Sequence, residues 1–273
     1  MEAFLRWAGS KKQLLPKLKP YWRQGRRTTY IEPFAGSSVL FFCLQPTTAV
    51  LGDLNEELIG TLRSVQAFPI RVIECLQRYP RGKRAYYDLR STDPQSLTEV
   101  ERAARFIYLN HYCFNGLYRT NRNGEFNVPL GRHKGPHSLD VDLIWQAAEQ
   151  LQRAMLVNGD FEDTLRYAGA GDFVYLDPPY ALDARRTFTE YHPLSFSTAD
   201  LARLAIALEE LDDKGATFVL SYANCAEARE IGANWYVRRV WARRNIAGFS
   251  GDRKGVTELL ISNRQATGGR GGH

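Results

Sequence analysis

The stretch that decides the fold reads Phe173-Val-Tyr-Leu-Asp-Pro-Pro-Tyr180, a short apolar run that ends in a carboxylate, two prolines and an aromatic ring. Three other short apolar runs lead into polar or turn residues: Tyr30–Phe34, Ala49–Asp53 and Thr217–Ser221. Such runs are typical of strands buried on both faces of a mainly parallel sheet. Helical patterns separate them, and the clearest begins at the capping box Ser197-x-x-Asp200. This alternation predicts a doubly wound α/β fold.

The middle of the chain breaks this alternation. From about Glu57 to Gln150 the pattern is helical and rich in arginine, which predicts a helical insert over residues 57–153. Residues 1–56 and 154–262 then form one α/β domain, and residues 263–273 form a flexible Gly/Arg-rich tail. Two strand-like segments are expected to close the sheet as an antiparallel edge hairpin, Trp235–Trp241 and Val256–Ser262.

Composition limits the class of protein. The 273 residues are 44% hydrophobic and 24% charged, which is typical of a globular chain with a large core. No apolar run approaches the roughly 20 residues of a membrane span, and the first residues lack the pattern of a signal peptide. We therefore predict a cytoplasmic protein with no membrane partner. The net charge is +6, and arginine makes up 28 of the 36 basic residues, which suits contacts to phosphate groups.

Neither a disulfide framework nor a metal site is expected. The four cysteines are scattered and form no CxxC pair: Cys43, Cys75, Cys113 and Cys225. The pair His133-x-x-x-His137 has a spacing found in metal sites, but it lies in a Gly/Pro loop and lacks a third ligand. The sequence therefore predicts no metal.

The turn after the apolar run at residue 173 offers a distinctive set of groups. Two prolines prevent a helix from following the strand, so the carbonyl of Pro178 has no helical partner. The carboxylate of Asp177 supplies a second acceptor, and Tyr180 supplies a flat face. This set suits a planar group with an exocyclic NH₂, bound at the carboxyl end of a strand. The structural alternative is a rigid turn with Tyr180 in the core.

Two further segments suit a nucleoside. The turn Glu32-Pro-Phe-Ala-Gly-Ser-Ser38 has one glycine at which a ligand can approach the backbone, and Asp53 ends the next strand, where an acid can bond ribose hydroxyls. Near the N-terminus, Arg6-Trp-Ala-Gly-Ser-Lys-Lys12 joins an aromatic ring to cations. Each also has a structural interpretation, as a plain glycine turn and as a tethered arm with a buried Trp7.

Together these segments resemble a known family. The motifs W-A-G-x-K from Trp7, E-P-F-x-G from Glu32 and D-P-P-Y from Asp177, in that order, are similar to those of the Dam-type DNA adenine-N6 methyltransferases of the D12 class, alpha group. The likeness continues through the insert, at Asn115-Gly-Leu-Tyr-Arg119 and Gly124–Pro129, and spans nearly the whole chain. The resemblance implies the methyltransferase type of doubly wound sheet, with the insert as the target-recognition region.

The resemblance also implies a cofactor, S-adenosyl-L-methionine, and the residues that bind it. The matching positions are Trp7, Lys11, Phe34, Gly36, Asp53 as the ribose-binding acid, and Asp177, which cofactor and target share. One position departs from the family pattern F-x-G-x-G, because Ser38 stands at its last glycine. We expect the serine to be tolerated, with its hydroxyl bonded within the turn.

For catalysis, the resemblance implies methylation of adenine N6 in duplex DNA. Asp177 and the Pro178 carbonyl would accept hydrogen bonds from the amino group, and Tyr180 would stack on a base flipped out of the helix. Arg119 matches a guanine reader, which agrees with the fork that arginine presents to guanine O6 and N7. GATC is the expected recognition sequence.

The remaining DNA-contact predictions follow from the same matches. They are a wedge at Phe114 and Asn115, apolar base contacts at Leu117 and Pro129, and polar contacts at Asn121 and Asn127. The basic residues expected at phosphates are Arg102, Arg105, Arg119, Arg122, Arg132 and Lys134. His133 stands where the family usually has tyrosine. Individually, Phe114 and Leu117 also fit a core, and the asparagines fit turns.

Two other functions remain open at this point. One is methylation of an RNA base or of a protein glutamine amide, which presents a similar planar NH₂; those relatives more often have Asn before the Pro-Pro pair. The other is a DNA-binding regulator with an inactive site, which the presence of Asp177 and Tyr180 disfavours. Double-stranded DNA is the expected partner, and we predict a monomer with no obligatory protein partner.

Overall fold

A computed structural model describes residues 1–22, 28–131, 139–180, 196–243 and 255–266. Within them a seven-stranded sheet has the order β3-β2-β1-β4-β5-β7-β6. The strands are β1 Tyr30–Glu32, β2 Ala49–Asp53, β3 Ala154–Asn158, β4 Phe173–Leu176, β5 Thr217–Ala223, β6 Tyr236–Arg243 and β7 Gly255–Ser262. β1 to β5 pair in parallel, and β7 lies antiparallel between β5 and β6. The predicted doubly wound sheet with an antiparallel edge is confirmed.

The central strands are buried on both faces, as their apolar sequences predict. Successive side chains point to opposite sides of a sheet, and here they enter two hydrophobic cores. One face contributes Tyr30, Leu51, Tyr175 and Val219 to the larger core. The other face contributes Ile31, Val50, Val174 and Leu220 to the second core. Because both faces of the central strands are buried, polar side chains of these strands can reach solvent only at the strand ends.

The helices divide between these two cores. The larger core takes in side chains of α1 Leu15–Leu18, α2 Val39–Leu44, α3 Glu56–Ala67, α4 Pro69–Arg78, α5 Lys83–Ser91, α6 Glu99–Tyr112 and α7 Val141–Leu151. The second core takes in those of α8 Phe161–Leu165, α9 Thr198–Asp213 and α10 Ala226–Ile231. The helices of the predicted insert therefore pack into the same core as one face of the sheet. None of the described helices is long and apolar enough to cross a membrane.

One strand, β3, was not identified in the sequence. It lies at the edge of the sheet, and only Ala154 is buried, while Met155 is 42% exposed. An edge strand with one face toward solvent lacks the continuous apolar run that marks the central strands. The predictions for Arg132, His133, Lys134 and His137, and for most of the tail 263–273, lie outside the described residues.

Candidate active site

Polar side chains meet at the carboxyl edge of the sheet. Glu32 ends β1, Asp53 ends β2, and Asp177 directly follows β4. Ser221 lies near the end of β5, and Glu258 lies near the start of β7, which runs in the opposite direction. Because the parallel strands all end at this edge, residues far apart in the chain are brought together here.

Only one of the two carboxylate oxygens of Asp177, Oδ1, has a bonding partner among the described residues. Its Oδ1 accepts a hydrogen bond from Ser221 Oγ at 2.9 Å and forms an ion pair with Lys11 Nζ at 2.7 Å. Within the described part of the chain, no group donates to Oδ2 or to the carbonyl of Pro178. The side chain is 19% exposed. Two consecutive residues, the half-buried Asp177 and the buried Pro178, thus each carry an acceptor that has no donor among the described residues.

Glu258 links Lys11, which pairs directly with Asp177, to Tyr180. Lys11 Nζ lies 3.9 Å from Glu258 Oε2 and donates to the carbonyl of Gly9 at 3.2 Å. The hydroxyl of Tyr180 donates to Glu258 Oε1 at 3.3 Å, and the ammonium lies 5.8 Å from the centre of the Tyr180 ring. The edge of the Tyr180 ring also packs against Tyr222. The alternative prediction placed Tyr180 in the core. The ring does pack against the second core, but the residue is only half-buried.

Burial and neighbouring charges shift the ionisation of this cluster. Burial raises the pKa of Asp177, and the opposing effects of Lys11 and the Ser221 hydroxyl do not cancel it. Burial alone would lower the pKa of Lys11, but the carboxylates of Asp177 and Glu258 outweigh it, and the pKa is raised. Lys11 therefore stays an ammonium ion. Shifted groups that cluster at an edge of this kind mark a candidate functional site.

The N-terminal segment that carries Lys11 is anchored to α6. Asn110 accepts a hydrogen bond from Arg6 N at 2.9 Å and donates one to Arg6 O at 2.6 Å. The ring of Trp7 stacks on Tyr118 at 5.9 Å and on Phe106 at 6.5 Å between ring centres. The insert thus holds the arm in place, and Trp7 is half-buried.

The glycine turn and Asp53 form a second group of contacts. Asp53 Oδ2 accepts from Gly36 N and Oδ1 from Asn55 N, each at 2.9 Å. Burial raises the pKa of Asp53 in spite of these donors. Ser38 adopts a left-handed conformation with φ +48°, and its hydroxyl donates to the Ala35 carbonyl at 3.4 Å. The expected bond within the turn is confirmed.

Gly36 is required where it stands. Its φ is +47°, and an added Cβ would lie 3.0 Å from Cδ1 and 3.1 Å from Nε1 of Trp7. We expect Gly36→Ala to lower the free energy of unfolding by about 1–2 kcal/mol, because a left-handed residue with a side chain is strained, and to displace the Trp7 ring. Urea denaturation and tryptophan fluorescence measure the two effects.

Gly60→Ala is the matched control for that substitution. Gly60 lies inside α3, and an added Cβ there meets no atom within 4 Å. The same change should raise the free energy of unfolding by about 0.5–1 kcal/mol, since alanine is the better helix former. Equal destabilisation by both variants would contradict the role assigned to the Gly36 turn.

An aromatic group lies beside Asp53. Phe34, from the glycine turn, stacks on Phe161 at 5.5 Å and meets Phe196 edge-on at 5.8 Å. Phe161 opens α8 after β3, and Gly159 N donates to the Asp53 carbonyl at 3.2 Å. The loop after β3 therefore reaches the same edge. Neither this loop nor β3 was predicted from the sequence pattern.

The predicted base-reading residues lie on a small hairpin of the insert. Thr120 and Phe126 form an antiparallel bridge, and Asn127 N donates to the Arg119 carbonyl at 3.0 Å. The exposed side chain of Arg119 donates through Nε to Asn127 Oδ1 at 2.7 Å. Its two terminal nitrogens make no hydrogen bond within the described residues. Asn121 closes the turn, since Oδ1 accepts from the backbone N of residues 123 and 125, each at 3.0 Å.

The other predicted DNA contacts differ in exposure. Asn115 and Pro129 are exposed, and Asn115 is left-handed with φ +55°. Phe114 and Leu117 are half-buried and pack against the larger core. The alternative prediction, that Phe114 and Leu117 contribute to a core, is therefore also supported.

One phosphate-contact prediction is wrong. Arg105 is 3% exposed, and its guanidinium donates to the carbonyls of Leu89 and Arg90 at 2.8 and 2.9 Å. Arg105 Nη1 also lies 3.8 Å from Glu57 Oε1, in an ion pair. The side chain therefore joins α5 to α6 inside the insert, and the arginine-rich pattern alone did not distinguish this from an exposed position. Arg102, three residues earlier, is exposed.

Ser221 and Glu258 were not among the predicted site residues. A signal was present for both, because each interrupts an otherwise apolar strand at the end that faces this edge. A polar residue buried in a sheet requires a partner, and here the partners are the predicted site residues themselves.

The sheet order and the polar carboxyl edge are those of a Rossmann-like methyltransferase. The chain belongs to the D12 class of N6 adenine-specific DNA methyltransferases, since the model of that family matches residues 7–246. This membership confirms the predicted enzyme class, a DNA adenine-N6 methyltransferase, over the alternatives of an RNA or glutamine methyltransferase and of an inactive regulator.

Three similar relatives align over nearly the full chain. The Type II methyltransferase M1.LlaDCHI of Lactococcus lactis subsp. cremoris is 38% identical over 96% of this chain and 95% of its own length. The Type II methyltransferase M.MjaIII of Methanocaldococcus jannaschii is 35% identical, over 96% of this chain and 99% of its own. The DNA adenine methylase of Salmonella typhi is 36% identical over 94% of each chain.

Proposed function

We propose that this enzyme transfers a methyl group from S-adenosyl-L-methionine to N6 of an adenine flipped out of duplex DNA, within the sequence GATC. The observation that carries the proposal is the pair of acceptors at the end of β4. Oδ2 of Asp177 and the carbonyl of Pro178 have no donor within the described residues, while Oδ1 is already bonded. An amino group with two N–H bonds matches that pair.

These acceptors address the main difficulty of the reaction. The lone pair of adenine N6 is delocalised into the ring, so the nitrogen is a poor nucleophile. Hydrogen bonds to Asp177 and Pro178 draw the nitrogen toward tetrahedral geometry and orient its lone pair, and Tyr180 supports the base from one face. Catalysis then comes from positioning and electrostatics. The base must leave the helix, because its amino group is not accessible to such a pocket within a duplex.

The residues around the glycine turn fit the proposed methyl donor, which supplies an electrophilic methyl group on a sulfonium. We assign to it Trp7, Lys11, Phe34, Gly36, Asp53 and the shared Asp177. Support comes from the backbone of Gly36, where a Cβ would meet Trp7, and from the carboxylate of Asp53 at the end of β2. The loop after β3 brings Phe161 to the same place, and we add Phe161 to the assignment.

We propose that residues 57–153 act as the target-recognition insert. Arg119 would read a guanine, and Asn127 would orient it through the bond to Nε. Phe114 and Asn115 would enter the space left by the flipped base, and Leu117 and Pro129 would contact base edges. Asn121 would contribute through the shape of the hairpin turn, which its side chain closes.

Methyl transfer to defined DNA tests the proposal directly. Purified protein is incubated with methyl-labelled S-adenosyl-L-methionine and duplexes with one GATC site, and the label is expected in N6-methyladenine. Duplexes with GTAC or CATG in place of GATC serve as controls. Label in both controls at the rate seen for GATC would overturn the sequence assignment, and no label in any duplex would overturn the donor assignment.

The remaining assignments concern the state of the enzyme in the cell. We propose that it acts as a monomer, with double-stranded DNA as its partner, and that it works in the cytoplasm because its substrate is the DNA of the cell. Light scattering of the protein alone and with a short duplex tests the first statement, and a dimer in the free protein would contradict it.

A further inference from the structure

A single hydroxyl lies directly behind the carboxylate of Asp177. Ser221 is completely buried in β5, and its Oγ lies 2.9 Å from Oδ1 of Asp177. The strand register pairs Tyr175 with Val219 and Leu176 with Leu220. One step further along both strands, Asp177 stands level with Ser221. The contact is therefore set by the sheet itself, which is the most rigid support that the fold offers.

The hydrogen bonds around Ser221 can run in only one direction. A serine hydroxyl has one proton, and an ionised carboxylate only accepts, so Ser221 donates to Asp177. The hydroxyl of Tyr175 lies 3.0 Å from Ser221 Oγ and must then be the donor in that pair. Burial raises the pKa of Tyr175 well above its ordinary value, so this proton is retained. The result is a directed chain from Tyr175 through Ser221 to Asp177.

Lys11 contacts the same oxygen of Asp177 through a longer side chain. Its ammonium is a point charge on a flexible stem, and it faces Glu258 at 3.9 Å as well as Asp177 at 2.7 Å. Lys11 thus divides its contacts between two carboxylates and the Gly9 carbonyl. The short, buried side chain of Ser221 has two acceptors in reach, and Asp177 Oδ1 at 2.9 Å is closer than the Leu176 carbonyl at 3.5 Å.

We propose that Ser221 is a positioning residue for methyl transfer: by holding Oδ1 of Asp177, it turns Oδ2 toward the target amine. Tyr175 supports it from behind. This inference rests on the proposed function of Asp177 as an acceptor for adenine N6. It predicts a loss of turnover without a matching loss of substrate binding when the hydroxyl is removed.

The same bond affects the titration of Asp177. The hydroxyl of Ser221 helps to lower the pKa of Asp177 against the effect of burial, so its removal should raise that pKa further. The acceptor must be ionised, and the acidic limb of the rate profile should therefore move to higher pH. The titratable groups that surround Asp177 are Lys11, Tyr30, Glu32, Tyr175, Tyr180 and Glu258.

Single substitutions of buried hydroxyls test the inference. We expect Ser221→Ala to lower kcat about ten- to a hundredfold, as for loss of a hydrogen bond to a charged group, with KM for DNA and cofactor changed less than about threefold. Ser221→Thr keeps the hydroxyl and should retain most of kcat. Tyr175→Phe should lower kcat by a smaller factor. Ser262→Ala is the matched control, because Ser262 is equally buried in neighbouring β7 but bonds to the Phe218 carbonyl.

A second measurement does not depend on catalysis. Carboxyl ¹³C NMR of the free protein, assigned with Asp177→Asn, should show the Asp177 titration at higher pH in Ser221→Ala and unchanged in Ser262→Ala. The inference is overturned if both variants match wild type in titration and in kcat, or if Ser221→Ala raises KM and leaves kcat unchanged. A wild-type protein that fails to methylate DNA would overturn the proposed function, whereas the titration still decides whether Ser221 holds the carboxylate.

Discussion

Replacement of Asp177 by Ala is expected to lower turnover at least about a hundredfold, the scale found when one preorganised polar group of an active site is removed. In the proposed mechanism, the variant loses the carboxylate that accepts from the target amine together with the Pro178 carbonyl. Lys11 keeps Glu258 and the Gly9 carbonyl as partners, so the fold should be retained. Single-turnover methylation of a GATC duplex measures the loss, and circular dichroism measures the fold.

Asp172→Ala provides the matched control, at the opposite end of the same strand. Asp172 is 8% exposed, and its carboxylate accepts from the backbone N of Thr29 at 2.8 Å and of Gly169 at 2.9 Å. Its loss should reduce the free energy of unfolding, because two partly buried donors lose their partner, and should leave turnover per folded molecule unchanged. If Asp177→Ala retained wild-type turnover, the acceptor role of this carboxylate would be refuted.

Replacement of Arg119 by Ala is expected to remove about 1–3 kcal/mol of discrimination at one base pair of the recognition sequence. That corresponds to a roughly ten- to hundredfold fall in the ratio of kcat/KM between GATC and a duplex with the contacted guanine replaced. The bond from Nε to Asn127 leaves the two terminal nitrogens for a base edge. Competition between the two duplexes in one reaction measures the ratio.

Arg122→Ala on the same hairpin separates base reading from general attraction to DNA. Arg122 is exposed near the tip of the hairpin. We expect its loss to weaken binding to all duplexes alike. The slope of log binding constant against log salt concentration should also become shallower by about 1, as for the loss of one phosphate contact. Arg119→Ala should instead change the preference between duplexes. If both variants weaken all duplexes equally, Arg119 contacts phosphate and does not read a base.

Local sequence patterns were sufficient for the parts of the site that lie at strand ends. The runs that lead into Glu32, Asp53 and Asp177 are continuous apolar segments, because these strands are buried on both faces, and their ends could be read directly. The order of their motifs also matched the family. The hydrogen bond from Ser38 to a carbonyl within the turn could also be predicted, because its partner, Ala35, lies in the same turn.

Patterns failed where exposure or distant contacts decide the outcome. The edge strand β3 is half exposed and lacks an apolar run, so the loop with Phe161 was missed. The sequence did not distinguish Arg105 from the exposed Arg102. In the fold, Arg105 is buried and bonds to backbone carbonyls of α5, so it stabilises the packing of α5 against α6. Burial depends on what packs against a position, and one sequence without its fold does not specify that.

Local patterns in the chain were enough to predict the doubly wound sheet and the class of enzyme, because each depends on neighbouring residues or on their order; the acceptor role of Asp177 and Pro178 stays a prediction. Only the tertiary structure decided what surrounds the carboxylate. Ser221 is 44 residues from Asp177 along the chain, and Lys11 and Glu258 lie at opposite ends of the sequence. They meet because strand register and an antiparallel β7 bring them to one edge, and hydrogen bonds between such distant positions leave no local pattern.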